Sequence, residues 1–179
     1  MSWVSPSTQS TGDVIPAAVW NQNVVANPAF LYSPPMIKAT FTSSGGYTSG
    51  NVLNFNSVSA VGGFANGTPT LGVGAGGLVS PGTAGIYMAS CGVHWTSSGS
   101  APTVYRLNIY GNISGTASIF ASQIVPNANL QPYYANSASA VIWMASADYV
   151  YATLETDATV VTMQATAFSS LALTWIGHV

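Results

Sequence analysis

Only six of the 179 residues carry a formal charge: Lys38 and Arg106 against Asp13, Asp148, Glu155 and Asp157, in a chain that is 48% apolar. Such a composition excludes a highly charged disordered polypeptide, and two cations are too few for a nucleic-acid surface, whose affinity comes from Lys and Arg displacing condensed counterions. An ordinary soluble domain devotes about a quarter of its residues to charge, so the surface here must consist of Ser, Thr, Asn, Gln and Gly, or be covered by other chains.

The length suits one principal domain with an appended arm. No run of about 18 residues is free of Gly, Ser, Thr or Asn, so no membrane insertion is expected. Met1-Ser2-Trp3-Val4-Ser5-Pro6 lacks the basic start and apolar core of a secretory signal. Cys91 is the single cysteine, which excludes an intrachain disulfide and a thiolate zinc cluster.

In chain order, the first expected element is a short helix. Pro16 stands near its start, Val19 or Trp20, Asn23 or Val24, and Asn27 fall at helical spacing, and Asn27-Pro28 stops it. Ser33-Pro34-Pro35 reads as a stiff hinge, which divides the chain into an arm, residues 1–37, and a domain, residues 38–179. From Lys38 onward the texture is that of strands: Ala39–Thr42, Val52–Val58, Gly85–Thr96, Thr103–Tyr110, Ala117–Val125, Ala138–Met144, Tyr149–Thr156, Val160–Phe168 and Leu171–Ile176. Short turn clusters between them match a sandwich or barrel.

Alternation assigns faces. Tyr87, Ala89, Cys91, Val93 and Trp95 share one face of their strand, against Met88, Ser90, Gly92 and His94. Tyr105, Leu107 and Ile109 alternate with Arg106, Asn108 and Tyr110, and Val150, Ala152 and Leu154 with Tyr149, Tyr151, Thr153 and Glu155. The second faces are polar yet keep large aromatics, as when a sheet face packs against another subunit.

No residue set signals catalysis, a cofactor or a metal. The glycines from Gly72 to Gly77 lack the Lys-Ser/Thr of a phosphate loop and read as a permissive connection. Cys91 and His94 take opposite faces of one strand, which leaves Cys91 a core thiol. Asp148, directly before Tyr149-Val150, reads as a turn acceptor, and Glu155 with Asp157 as a solvated hairpin tip. Arg106, a lone cation in mid-strand, needs an acidic partner; Glu155 is the expected one, within the chain or between subunits.

The order and spacing of five segments resemble the jelly-roll domain of complement C1q heads and tumour-necrosis-factor-like cytokines. They are Val52-Leu53-Asn54-Phe55-Asn56-Ser57-Val58, Val79-Ser80-Pro81-Gly82-Thr83-Ala84-Gly85-Ile86-Tyr87, Tyr105-Arg106-Leu107-Asn108-Ile109-Tyr110-Gly111-Asn112, Ala147-Asp148-Tyr149-Val150-Tyr151-Ala152 and Ala167-Phe168-Ser169-Ser170-Leu171-Ala172-Leu173. Ala147 and Ser170 stand where that family carries Gly, and the acidic cluster of its calcium-binding members is missing. The resemblance implies an all-β, C1q/TNF-like jelly-roll sandwich that assembles as a homotrimer, with Tyr149, Tyr151, Phe168, Trp175, Arg106 and Glu155 in subunit contacts. The N-terminal pattern of Trp3, Pro6, Thr11-Gly12-Asp13, Val14-Ile15, Ala17-Ala18, Trp20-Asn21 and Asn27 is similar to the opening of many tailed-bacteriophage structural proteins. It implies an attachment arm in which Trp3, Val14, Ile15, Trp20 and Asn21 dock on another virion protein. The expectation is a non-enzymatic virion component without cofactor, on the capsid as decoration or head fibre. The alternative is a tail-associated adhesin that recognises host surface glycans through outward loops.

Overall fold

Period-two burial organises the strands of the computed structural model, which describes residues 14–21, 23, 36–41, 43–61, 79–81, 84–98, 104–126, 134–157, 160–166 and 168–177. One short helix, α1 (Ala17–Trp20), starts after Pro16, whose fixed φ and missing N–H suit a helix entry. The rest of the expected helix beyond Asn23, together with Trp3, the Pro34-Pro35 hinge and the glycine-rich stretch 62–78, lies outside the described residues.

Among the described residues ten strands follow: β1 (Met36–Thr40), β2 (Gly45–Tyr47), β3 (Ser57–Val61), β4 (Gly85–Ser98), β5 (Val104–Ile113), β6 (Thr116–Pro126), β7 (Tyr134–Met144), β8 (Tyr149–Thr156), β9 (Val160–Met163) and β10 (Ser170–Gly177). Their pairings are antiparallel and form two sheets. The larger runs β3-β1-β10-β4. The far edge of β4 is shared by β7, along Gly85–Trp95, and by β9, along Trp95–Ser98, with β2 beyond β9. The smaller runs β6-β5-β8, and single bridges at Val52–Thr153 and Val79–Val150 extend it past β8.

The core lies between the two inner faces. Tyr87, Ala89, Cys91, Val93 and Trp95 of β4 are buried, as are Tyr105, Leu107 and Ile109 of β5, Val150, Ala152 and Leu154 of β8, and Leu171, Leu173 and Trp175 of β10. Each large apolar side chain so buried contributes about 1.5–3 kcal/mol, the main favourable term holding the sheets together. At one end Trp95 stacks on Tyr134 with ring centroids 4.3 Å apart, takes the edge of Tyr105 at 5.4 Å, and donates its indole N–H to Asn136 Oδ1 at 3.3 Å. At the other end the Trp175 indole lies over Gly85, where a Cβ would stand 2.5 Å from its Nε1.

Two departures from the sequence expectation have topological causes. Val52–Val58 is not one strand: Val52 bridges to β8 of the smaller sheet, while Ser57 begins β3 of the larger. The segment crosses between sheets, and its backbone bonds change partner, from Ala152 O for Leu53 N–H to Thr40 O for Asn56 N–H. Strand β1 begins at Met36, ahead of Lys38, because Met36 and Ile37 are already in register with both β3 and β10.

Candidate interaction surfaces

Three outward surfaces carry the predicted site residues other than Trp175, which lies in the core, and Trp3, which lies outside the described residues. The first is the outer face of the larger sheet, where rows of side chains are set by register: Met36, Thr174, Met88 and Val141; then Lys38, Ala172, Ser90 and Ser139; then Thr40, Ser170, Gly92 and Ser137. One end of this face is apolar. Met88 is 41% exposed, Val141 64% and Trp143 48%, and Ile176, the residue at the β10 bulge, is also exposed. The middle is small and hydroxylic, and at the far end Phe168, 80% exposed, overhangs Gly92. A Cβ on Gly92 would stand 2.8 Å from the Phe168 carbonyl oxygen, so the glycine is what lets the loop pass that close. Beside Phe168 lies a trough of about 400 Å³ walled by Ser90, Gly92, Ser137, Ser139 and Ser170. A large apolar knob thus sits next to a hole of small residues.

The second surface is the outer face of the smaller sheet, and its polar groups bond one another. Register opposes Arg106 to Glu155, Asn108 to Thr153, Tyr110 to Tyr151 and Asn112 to Tyr149. The expected Arg106–Glu155 pair forms within one chain, Nη1 to Oε2 at 3.4 Å, with both side chains about two-fifths exposed. The other Glu155 oxygen accepts from Asn108 Nδ2 at 2.9 Å, and Asn108 Oδ1 accepts from the Ser122 hydroxyl at 2.7 Å. Asn108 is fully buried although it points outward, covered by these longer neighbours. Tyr110 and Tyr151 stack nearly parallel at 5.0 Å, and Asn112 Nδ2 donates to the Tyr149 hydroxyl at 2.7 Å. Burial, then the adjacent Tyr110 and Tyr149, push the Tyr151 phenol above its usual pKa.

The third is the arm. Val14 is 90% exposed, Ile15 and Trp20 are about half exposed, and Asn21 is exposed, so apolar side chains stand in water around α1.

Of the six residues expected in subunit contacts, Phe168 belongs to the large-sheet face and Tyr149, Tyr151, Arg106 and Glu155 to the small-sheet face. Trp175 is 5% exposed: with Leu171 and Leu173 it points inward, and its indole is taken up by the protomer's own core rather than offered to a neighbour. The large-sheet apolar residues Met88, Val141, Trp143 and Ile176 were not among the expected contacts, although alternation against buried Tyr87, Ile142, Met144 and Trp175 marks each as outward.

The candidate reactive groups are held by the fold. Burial raises the Cys91 thiol well above its ordinary pKa, which disfavours the thiolate. Asp148, 5% exposed, accepts the Ala145 N–H on one oxygen at 2.7 Å and the Ser114 N–H on the other at 3.0 Å. It thereby pins its own turn to the β5–β6 hairpin, whose Ser114 and Gly115 both have positive φ, as the strand twist requires of a two-residue turn. Among the described residues no three His, Cys, Asp or Glu side chains gather, and no helix is long and apolar enough to cross a membrane.

No family model matches the chain, and no curated protein does. Solved structures do. The Eiger TNF of S. frugiperda aligns over 82% of this chain and 94% of its own, at 11% identity and a TM-score of 0.60. The globular domain of the zebrafish complement 1qA protein aligns over 81% of this chain and 98% of its own, at 13% identity and a TM-score of 0.55. At such identities the likeness concerns the fold: this chain is a C1q/TNF-like jelly-roll sandwich.

Proposed function

We propose that the chain is a non-enzymatic bacteriophage structural protein, a homotrimeric jelly roll attached to the capsid surface as a decoration or head-fibre component through its N-terminal arm. The observation that carries the trimer is the large-sheet face, where Met88, Val141, Trp143 and Ile176 are exposed together with Phe168 and its adjoining trough. Interface cores are depleted of charge and enriched in aromatics and Met, and among the described residues Lys38 is the only charge on this face. A knob and a hole on the same protomer suit a head-to-tail contact, which closes into a ring when the rotation allows. Threefold closure is the arrangement that the resemblance to C1q and TNF-like domains implies.

For the arm, support comes from Val14, Ile15 and Trp20, which leave apolar area unburied by their own domain. Binding energy spread over these contacts, rather than covalent chemistry, is the mechanism. Cys91 is kept neutral in the core and Asp148 serves as a turn clamp, which leaves neither poised as a nucleophile or base.

The test is to mix the purified protein with shells that lack it. Trimers are expected to co-sediment with the shells, and Trp20→Ala is expected to reduce that binding while the trimer persists. Binding to host cells but not to shells would replace this reading with the adhesin, and a monomer at micromolar concentration would remove its foundation.

A further inference from the structure

Where the chain crosses from the larger sheet to the smaller, it encloses a recess of about 280 Å³ that shares no residue with the exposed apolar face. Its apolar side is Phe41, Val52 and Met163; its polar side is Ser43, Tyr47 and the amides of Asn51, Asn54 and Asn56. Phe41 is braced from behind by Phe55, stacked at 4.5 Å. Leu53 and Phe55 are fully buried, so alternation turns Asn54 and Asn56 outward beside the recess.

The walls are fixed before any ligand arrives. The Tyr47 hydroxyl donates to the Asn51 carbonyl and accepts the Leu154 N–H at 3.0 Å, and burial pushes its pKa up to about 12. Gly50 N–H bonds Leu154 O at 2.9 Å, Leu53 N–H bonds Ala152 O at 2.8 Å, and Thr156 N–H bonds the Ser49 hydroxyl at 2.8 Å, so the segment 47–53 is laced to β8. On the opposite side Ser44 Oγ accepts the Ala165 N–H at 3.0 Å. A preformed pocket with an apolar wall and a few converging polar groups is the usual form of a small-molecule site, since little ordering remains to be done on binding.

The chemistry of the lining selects the ligand class. None of the lining residues is charged, so no anion or cation would find a counter-charge. Each carboxamide both donates and accepts, as a sugar hydroxyl does. Asn51 and Asn54 are both exposed, so their amides are open to a ligand. Gly45 and Gly46 also line the recess, and a Cβ on either would meet nothing within 4 Å. We propose that this recess binds a neutral, hydroxyl-rich ligand the size of one pyranose. Its apolar ring face would rest against Phe41 and Met163, and its hydroxyls would engage Asn51, Asn54 and Ser43.

The inference is independent of shell attachment and of trimer formation. The test uses ligand-observed saturation-transfer NMR on the full chain, with the methyl α-pyranosides of glucose, galactose and mannose as neutral probes and N-acetylneuraminic acid as the anionic one. Transfer to at least one neutral pyranoside is expected. Gly46→Val, whose side chain enters open space, should abolish it, and Asn54→Ala should weaken it about tenfold, the equivalent of one hydrogen bond. Because Asn54 is exposed, its variant keeps the test decisive if Gly46→Val disturbs β2. Silence from all three neutral probes, transfer unchanged in both variants, or transfer to N-acetylneuraminic acid alone would overturn the proposal.

Discussion

The outer faces of the two sheets solve the low-charge problem in opposite ways. On the smaller sheet, Ser122, Asn108, Glu155 and Arg106 bond in sequence and Tyr110 stacks on Tyr151, so most of the polar groups there have partners within the protomer, while Ile119 and Ile124 of β6 stand about half exposed beside them. On the larger sheet, Met88, Val141, Trp143 and Ile176 hold apolar area in water, and Phe168 stands over a trough it does not fill. The first face is the more self-contained in its polar groups, and the second is the one that another copy would cover in the proposed trimer. What separates two outward faces of similarly low charge is how far their polar side chains are satisfied inside their own chain, and the trimer proposal assigns them different ends on that ground.

The sharpest way to break this comparison is Val141→Asp. Val141 is 64% exposed and pairs with Met88 at the centre of the apolar end. A carboxylate there is solvated in a monomer but unpaired once covered, which costs on the order of 3 kcal/mol per contact and weakens association about a hundredfold. Sedimentation should show a trimer for the parent protein and a folded monomer for the variant. An unchanged trimer would mean that the large-sheet face is not the contact.

On the smaller sheet the expected effect is on folding rather than association. Asn108→Ala removes a fully buried hub and leaves the Ser122 hydroxyl and one Glu155 oxygen without their bonds, at about 1–3 kcal/mol. For a chain of this size that lowers Tm by roughly 2–10 °C, with no change of oligomeric state. A dissociated but equally stable variant would reverse the roles of the two faces.

Much of this arrangement is legible in the sequence, because a sheet with one buried face writes a period of two. Tyr87 through Trp95, Tyr105 through Ile109 and Val150 through Leu154 alternate cleanly, and β8 runs from Tyr149 to Thr156 as expected. The lone outward charges Arg106 and Glu155 could be paired for the same reason. Trp175 shows where a resemblance overrode that rule: it is in phase with Leu171 and Leu173, and the phase alone sends it inward. Other features leave little local trace. Gly45 and Gly46 have no side chains to alternate, so β2 exists through its pairing with β9. Period two assigns Asn108 to the outer face but cannot say that longer neighbours bury it there. The recess, likewise, is made by the crossing of Val52–Asn56 between sheets, a tertiary event that the run of amides at Asn51, Asn54 and Asn56 only hints at.

The smallest expected effect tests whether the small-sheet face is complete without a neighbour. Arg106 and Glu155 are 42% and 41% exposed, and pairs so open to water contribute about 0.2–1 kcal/mol. Arg106→Ala also leaves Glu155 with the Asn108 amide at 2.9 Å, so no carboxylate is stranded. The variant should therefore keep its trimer and lose no more than about 1–3 °C of Tm. If it dissociated while remaining folded, the pair would have to lie in a subunit contact, where water no longer screens it and the loss of one partner strands the other. The two faces would then both be interfaces, and the neutral surface would be neutral because nearly all of it is covered.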